Sequence, residues 1–160
     1  IVPVIYSEPY TFPFEETKEF NQDNPHHTHT LFDHMDIARQ YGVDNSYPDH
    51  LIKVLKYHDI GKLYVKAFEN RKGEKTEFAY YYGHENYSAY LYLTEMCCGK
   101  NLTQDEFKQI LYETSLINCH MRPLVIWKDS PNAKKNDKEL FGEQFIDDLI
   151  LVHKADRFAH

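Results

Sequence analysis

Lys56-Tyr57-His58-Asp59-Ile60-Gly61-Lys62 is the stretch that most narrows what this chain can fold into. It sets an imidazole beside a carboxylate at the end of an apolar run, then adds a glycine and a lysine. Leu51, Val54, Leu55 and His58 recur at helical spacing behind Pro48-Asp49. The pattern predicts a helix that carries His58 and Asp59 in its last turn and ends at Gly61, with both side chains aimed inward. Burying an ionised carboxylate without a partner is costly unless it is neutralised. A divalent cation is one remedy and a plain His–Asp or Lys–Asp hydrogen bond in a core is another; the dipeptide alone leaves both open.

Other inward polar residues follow from the same periodicity. Leu31, His34, Ala38 and Tyr41 share one stripe of a helix expected to close at Gly42. His26, His27 and His29 precede that helix or lie in its first turn, where a surface loop explains them equally well. Leu63 to Tyr82 reads as a loop with a charged tip, Glu69 to Lys75, and a short extended stretch, Phe78 to Tyr82. A helix then starts at Gly83-His84-Glu85, with Tyr87, Leu91 and Met96 expected on its buried side. Thr103-Gln104-Asp105-Glu106 has the spacing of a capping box, and Phe107, Ile110, Leu111, Thr114 and Ile117 continue the stripe toward His120. Lys128 to Asp137 reads as a polar loop. The last helix is expected from about Lys138 to the end, with Phe141, Phe145, Leu149, Val152 and Asp156 on one face.

A chain of 160 residues can bury a core as one domain without staples. Residues 1–23, with Pro3, Pro9 and Pro13, suit an irregular lead-in along the outside of a domain that spans 24–160. Three cysteines, two of them adjacent, imply no disulfide framework and favour a reducing cytoplasm. No apolar run approaches the roughly 20 residues that would span a bilayer. A net charge of −7 argues against an extended nucleic-acid surface, though a pocket for one phosphate needs only a few cations. Ile at position 1 is compatible with another domain preceding it, or with a chain whose start is not included.

Several separate helices thus deliver His34, His58 with Asp59, His84, His120 and Asp156 to inward positions near their ends. Each buried polar group adds a cost that a shared divalent ion would remove at once. Mixed imidazole and carboxylate donors suit one or two ions of Mn, Fe, Co, Ni or Zn better than Ca, with Mg also admitted.

The order His34, His58-Asp59, His84, Asp156, with Gly61-Lys62 after the doublet, resembles the HD-domain phosphohydrolases. The specific parts are the His-Asp-x-Gly-Lys run, Gly83-His84-Glu85 and Lys154-Ala155-Asp156-Arg157. Asn24-Pro25-His26-His27 leading to His34 is most similar to the HD domains attached to tRNA nucleotidyltransferases and polynucleotide-kinase-like ATPases, and the lead-in is compatible with a junction to such a kinase before Ile1. The resemblance implies an all-α bundle of about five to seven helices. It implies that His34, His58, Asp59 and Asp156 hold a first metal, that Asp59 bridges to a second, and that His84 and His120 complete the second site. Lys62 matches a lysine placed to contact a substrate phosphate, and Arg122, Lys154 and Arg157 are further cationic candidates close to the ligands.

The implied activity is metal-dependent hydrolysis of a phosphomonoester or phosphodiester on a nucleotide or on an RNA or DNA end, with Asp59 and Lys62 as the catalytic residues. Departures narrow it. No Gly-Tyr-Pro signature follows the metal motifs, which speaks against the cyclic-dinucleotide phosphodiesterase branch, and no P-loop is present. Two rival readings are a non-catalytic nucleotide- or tRNA-binding HD module and a plain helical core with buried His–Asp pairs.

Overall fold

A computed structural model of the chain describes residues 12–160. Among the described residues, six helices of nine residues or more form an all-α bundle, joined by two one-turn α-helices and one β-hairpin and preceded by a 3-10 turn at Glu15–Thr17. Helix α1 spans Leu31–Asp44, α2 Asp49–Tyr57, α3 Lys62–Val65, α4 His84–Cys97, α5 Gln104–Cys119, α6 Arg122–Val125, α7 Ala133–Phe141 and α8 Glu143–Phe158. Strands β1, Ala67–Glu69, and β2, Lys75–Tyr80, pair antiparallel between α3 and α4.

Helix α2 is the hub and packs against α1, α5 and α8, while α4 lies along α5 and α3. Leu51, Val54 and Leu55 of α2 are fully buried among Tyr92, Leu116, Ile117, Leu149 and Val152. Local chemistry sets the helix starts. The Thr30 hydroxyl accepts from the Asp33 amide ahead of α1, and Thr103 accepts from the Glu106 amide ahead of α5, the arrangement that the Thr-x-x-Glu spacing predicts.

The structure departs from the sequence reading in several places. The segment 63–82, read as a loop ending in an extended stretch at Phe78 to Tyr82, holds most of α3 and a hairpin whose second strand overlaps that stretch. Asn70 builds the turn by accepting from the amides of Lys72 and Glu74, and Gly73 takes a φ of +79° there. The helix read from Lys138 onward is two helices. Gly142, at a φ of +91°, breaks the chain between α7, which begins inside the expected polar loop, and α8. Gly42 does not close α1, which runs on to Asp44.

Gly61 is not a left-handed helix stop: its φ is −63° and it opens α3. What requires glycine is space, since a Cβ there would lie 2.5 Å from the Ser88 amide nitrogen, 2.7 Å from Tyr87 Cβ and closer still to the His84 carbonyl. On α4 the buried side is His84, Ser88, Ala89 and Tyr92, whereas Tyr87 is exposed. Phe107, Leu111 and Phe141 are likewise exposed beyond the edges of their stripes.

The lead-in does pack on the bundle where it is described. Phe12 and Phe14 meet the Tyr57 ring at centroid distances of 5.3 and 5.1 Å, and Gln22 is fully buried. Pro3 and Pro9 lie outside the described residues. Among the described residues no helix is long and apolar enough to cross a membrane, and the three cysteines are free thiols.

Candidate metal centre

Helix ends converge at one point of the bundle. His34 comes from the first turn of α1, His58 and Asp59 from the turn after α2, His84 from the start of α4, His120 from the end of α5 and Asp156 from the last turns of α8. All six are buried, with at most 7% of any of them exposed. Two overlapping groups have donor atoms close enough to share an ion: His34, His58, Asp59 and Asp156, and then Asp59, His84 and His120.

Each of the four histidines spends its Nδ1 on a backbone carbonyl. His34 donates to Ala159, His58 to Leu55, His84 to Tyr81 and His120 to Ile117, at 3.2, 2.7, 2.8 and 2.6 Å. A carbonyl only accepts, so a proton sits on Nδ1 and Nε2 is the nitrogen that faces the centre. This is how a metal-ligating imidazole is oriented. Three of these bonds reach back three residues along the chain, which is why a histidine at a helix end presents Nε2 inward.

Asp59 divides its two oxygens. Oδ2 lies 3.1 Å from His34 Nε2 and 2.7 Å from Lys62 Nζ, while Oδ1 lies 3.1 Å from His84 Nε2 and 3.2 Å from His120 Nε2. Asp156 Oδ1 sits 3.0 Å from His34 Nε2 and 3.2 Å from His58 Nε2. Despite these distances, the Nε2 atoms of His34, His84 and His120 and Oδ1 of Asp59 are buried without a properly aligned hydrogen bond. Donor atoms about 3 Å apart that do not point at one another point at a shared centre. Neighbouring ligands of an octahedral ion with bonds of about 2.1 Å are separated by that much. The residues therefore fit one or two divalent ions, with Asp59 between the two groups.

Electrostatics keep both acids ionised. Burial raises the pKa of Asp59, but Lys62, His58, His84 and His120 outweigh it and hold the carboxyl well below its usual range. Asp156 behaves alike, with His160, His34 and His58 overriding burial. Burial also works against a charged His34, yet Asp156 and Asp59 raise its pKa to about 9.

The other candidates fall at different depths. Lys62 is buried, and its ammonium is held by Asp59 and by Gln22 Oε1 at 3.0 Å. Arg157 is exposed on the cleft that opens over the centre. Arg122 also borders the cleft, but its guanidinium makes two 2.7 Å bonds to Asp137, which also accepts from the Trp127 indole. Lys154 is exposed and does not line the cleft.

Two residues around the centre, Gln22 and His160, escaped the sequence reading, and His27, which that reading left open, joins them. Gln22 holds Lys62 from the lead-in, a contact across 40 positions that no periodicity announces. His27 and His160 stack edge-on at 4.6 Å beside His34. Burial and the Lys62 charge push the pKa of His27 down to about 3, so it is neutral at pH 7. His27, His34 and His160 are also within ion-sharing reach. His34, however, has Nδ1 on Ala159 and turns Nε2 toward the group it forms with His58, Asp59 and Asp156, which leaves no nitrogen for a separate ion.

The chain is thus a helical protein with a His/Asp cluster able to bind metal. Compared with known protein families, with curated proteins and with solved structures, it gives no match.

Proposed function

We propose that this chain is a divalent-metal-dependent phosphohydrolase of the HD type, acting on a phosphomonoester or phosphodiester of a nucleotide or nucleic-acid end. The observation that carries the proposal is the set of four imidazoles, each tied through Nδ1 to a carbonyl and turned through Nε2 toward Asp59 or Asp156. A core stabilised by His–Asp hydrogen bonds alone would align those bonds, whereas three of the Nε2 atoms remain unpaired.

His34, His58, Asp59 and Asp156 would hold a first ion, and Asp59, His84 and His120 a second. Such ions supply hydroxide at neutral pH from bound water and polarise a phosphoryl oxygen. Asp59 positions both groups through its two oxygens. Lys62 has donors committed to Asp59 and Gln22, and a third N–H remains for a phosphoryl oxygen, where its charge offsets the negative charge that builds up during displacement. Gln22 keeps that ammonium from collapsing wholly onto Asp59. Arg157 offers a second cation at the cleft wall.

The test is elemental analysis of protein purified without chelators or a histidine tag, beside Asp59→Ala, with phosphate release measured on nucleotides and phosphate-ended oligonucleotides. One to two equivalents of a transition metal and turnover, both lost in the variant while helical circular dichroism persists, is the expected result. No metal in either sample after incubation with Mn, Fe, Co and Ni would overturn the proposal. Bound metal without turnover on any substrate would leave a binding module in its place.

A further inference from the structure

The cleft over the metal centre has a volume of about 860 Å³, far more than a phosphate needs. Its buried lining includes Asp59, Lys62, His84 and Asp156. Its outer part is of different chemistry, with Tyr80 and Tyr82 on one side and Leu124 and Val125 among the other lining residues. These four are 37–50% exposed, an unusual state for large apolar side chains clustered in one concave surface.

The two tyrosines are not arranged at random. Their rings stack at a centroid distance of 5.3 Å with planes only 11° apart, and the Arg71 guanidinium lies 5.2 Å from the Tyr82 ring. Tyr80 ends β2, and Tyr82 follows two residues on, in the turn that leads to α4. Both walls are tied to the same metal group. Tyr82 stands two positions before His84 and Leu124 four positions after His120, so short segments join both sets of residues to the centre.

We propose that this outer cleft is a nucleobase subsite, so that the substrate is a phosphorylated nucleoside whose base extends the Tyr80–Tyr82 stack on the outer face of Tyr80 while its phosphate meets Lys62. The inference rests on the hydrolase reading for the phosphate end only. Aromatic faces accept any base by stacking, and a guanidinium adds a cation–π contribution. Leu124 and Val125 exclude water from the base. A sugar phosphate without a base would leave both walls unused. The guest is either a free nucleotide or the terminal nucleotide of a strand, which share this chemistry.

The test is calorimetric binding to the Mn-loaded protein of two phosphonates that cannot be turned over, the analogues of adenosine 5′-monophosphate and of ribose 5-phosphate. The nucleoside analogue is expected to bind at least about tenfold more tightly, the effect of one base–aromatic stack. In Tyr80→Ala/Tyr82→Ala that preference disappears, with metal content kept, and Tyr82→Phe retains it. A phosphonate-ended oligoadenylate binding more tightly than the mononucleotide identifies a strand end, and equal binding identifies a free nucleotide. Equal affinity for the base-bearing and baseless analogues, or a preference that survives in the double variant, would overturn the subsite. Base preference with no phosphate release from any substrate would keep the subsite and reject the hydrolase. Release without base preference would do the reverse.

Discussion

At the scale of single residues, inward direction was legible and mutual geometry was not. Leu31, His34 and Ala38 lie on one helical stripe, and so do Phe145, Leu149, Val152 and Asp156, so the burial of His34 and Asp156 follows from spacing alone. The carbonyl that each Nδ1 takes, and the division of Asp59 between two groups, depend on side-chain directions that spacing does not encode. Gly61 carries a prediction at this scale. Its missing side chain lets the turn after α2 approach the α4 backbone, so Gly61→Ala must push the two apart. Overpacking of this kind costs about 1–3 kcal/mol, and a clash with backbone lies toward the upper end. A thermal melt is expected to fall by roughly 5 °C or more, with reduced metal content, because Asp59 and His84 sit on the two sides of that contact. A wild-type melt would contradict the close approach.

Elements show the same division. Capping at Thr103 and the apolar stripe of α2 appeared in the residues themselves, while the hairpin was hidden because Phe78 to Tyr82 alone cannot reveal that Ala67 is its partner. A second prediction belongs to the seam of α5 with α4 and α2. Glu113 of α5 is buried beside Tyr92 of α4, and burial raises its pKa although Lys53 and His50 of α2 oppose the shift. The folded state therefore holds the Glu113 proton more tightly than the unfolded chain does. This contribution to stability is fully present below the unfolded value of 4.5 and is lost as pH rises through the folded one. Glu113→Gln, which keeps the neutral shape, is expected to raise the melting midpoint at pH 7 by about 2–4 °C, the effect of ~1 kcal/mol in a chain of this size. The gain should shrink as both proteins are melted at pH values approaching 4. A gain independent of pH would show that desolvation of this carboxylate is not the cause.

At the scale of the whole molecule, five helices meet at one centre through their ends, so an ion bound there ties the bundle together. Lys62 with His58, His84 and His120 around Asp59, and His160 with His34 and His58 around Asp156, keep the two acids ionised and paired without it, which lets the metal-free fold persist. An ion that binds only the folded chain adds about 4 kcal/mol at 1,000 times its dissociation constant. Chelation is thus expected to lower the midpoint by roughly 10 °C, and Mn to restore it in the wild type but not in Asp59→Ala. An unchanged midpoint after verified metal removal would show that the centre does not bind the bundle together.

The sequence by itself determined the helical class, the starts of α2, α4 and α5, and the identity of the six histidines and aspartates of the centre, because helical periodicity and capping act within a few residues. Tertiary structure alone decided that those donors come within about 3 Å of one another, that Gln22 from the lead-in holds Lys62, that Arg122 is spent on Asp137, and that a hairpin and α6 wall a cleft over the centre. These depend on how elements far apart in the chain pack, and packing is set by the fit of whole surfaces rather than by any local pattern.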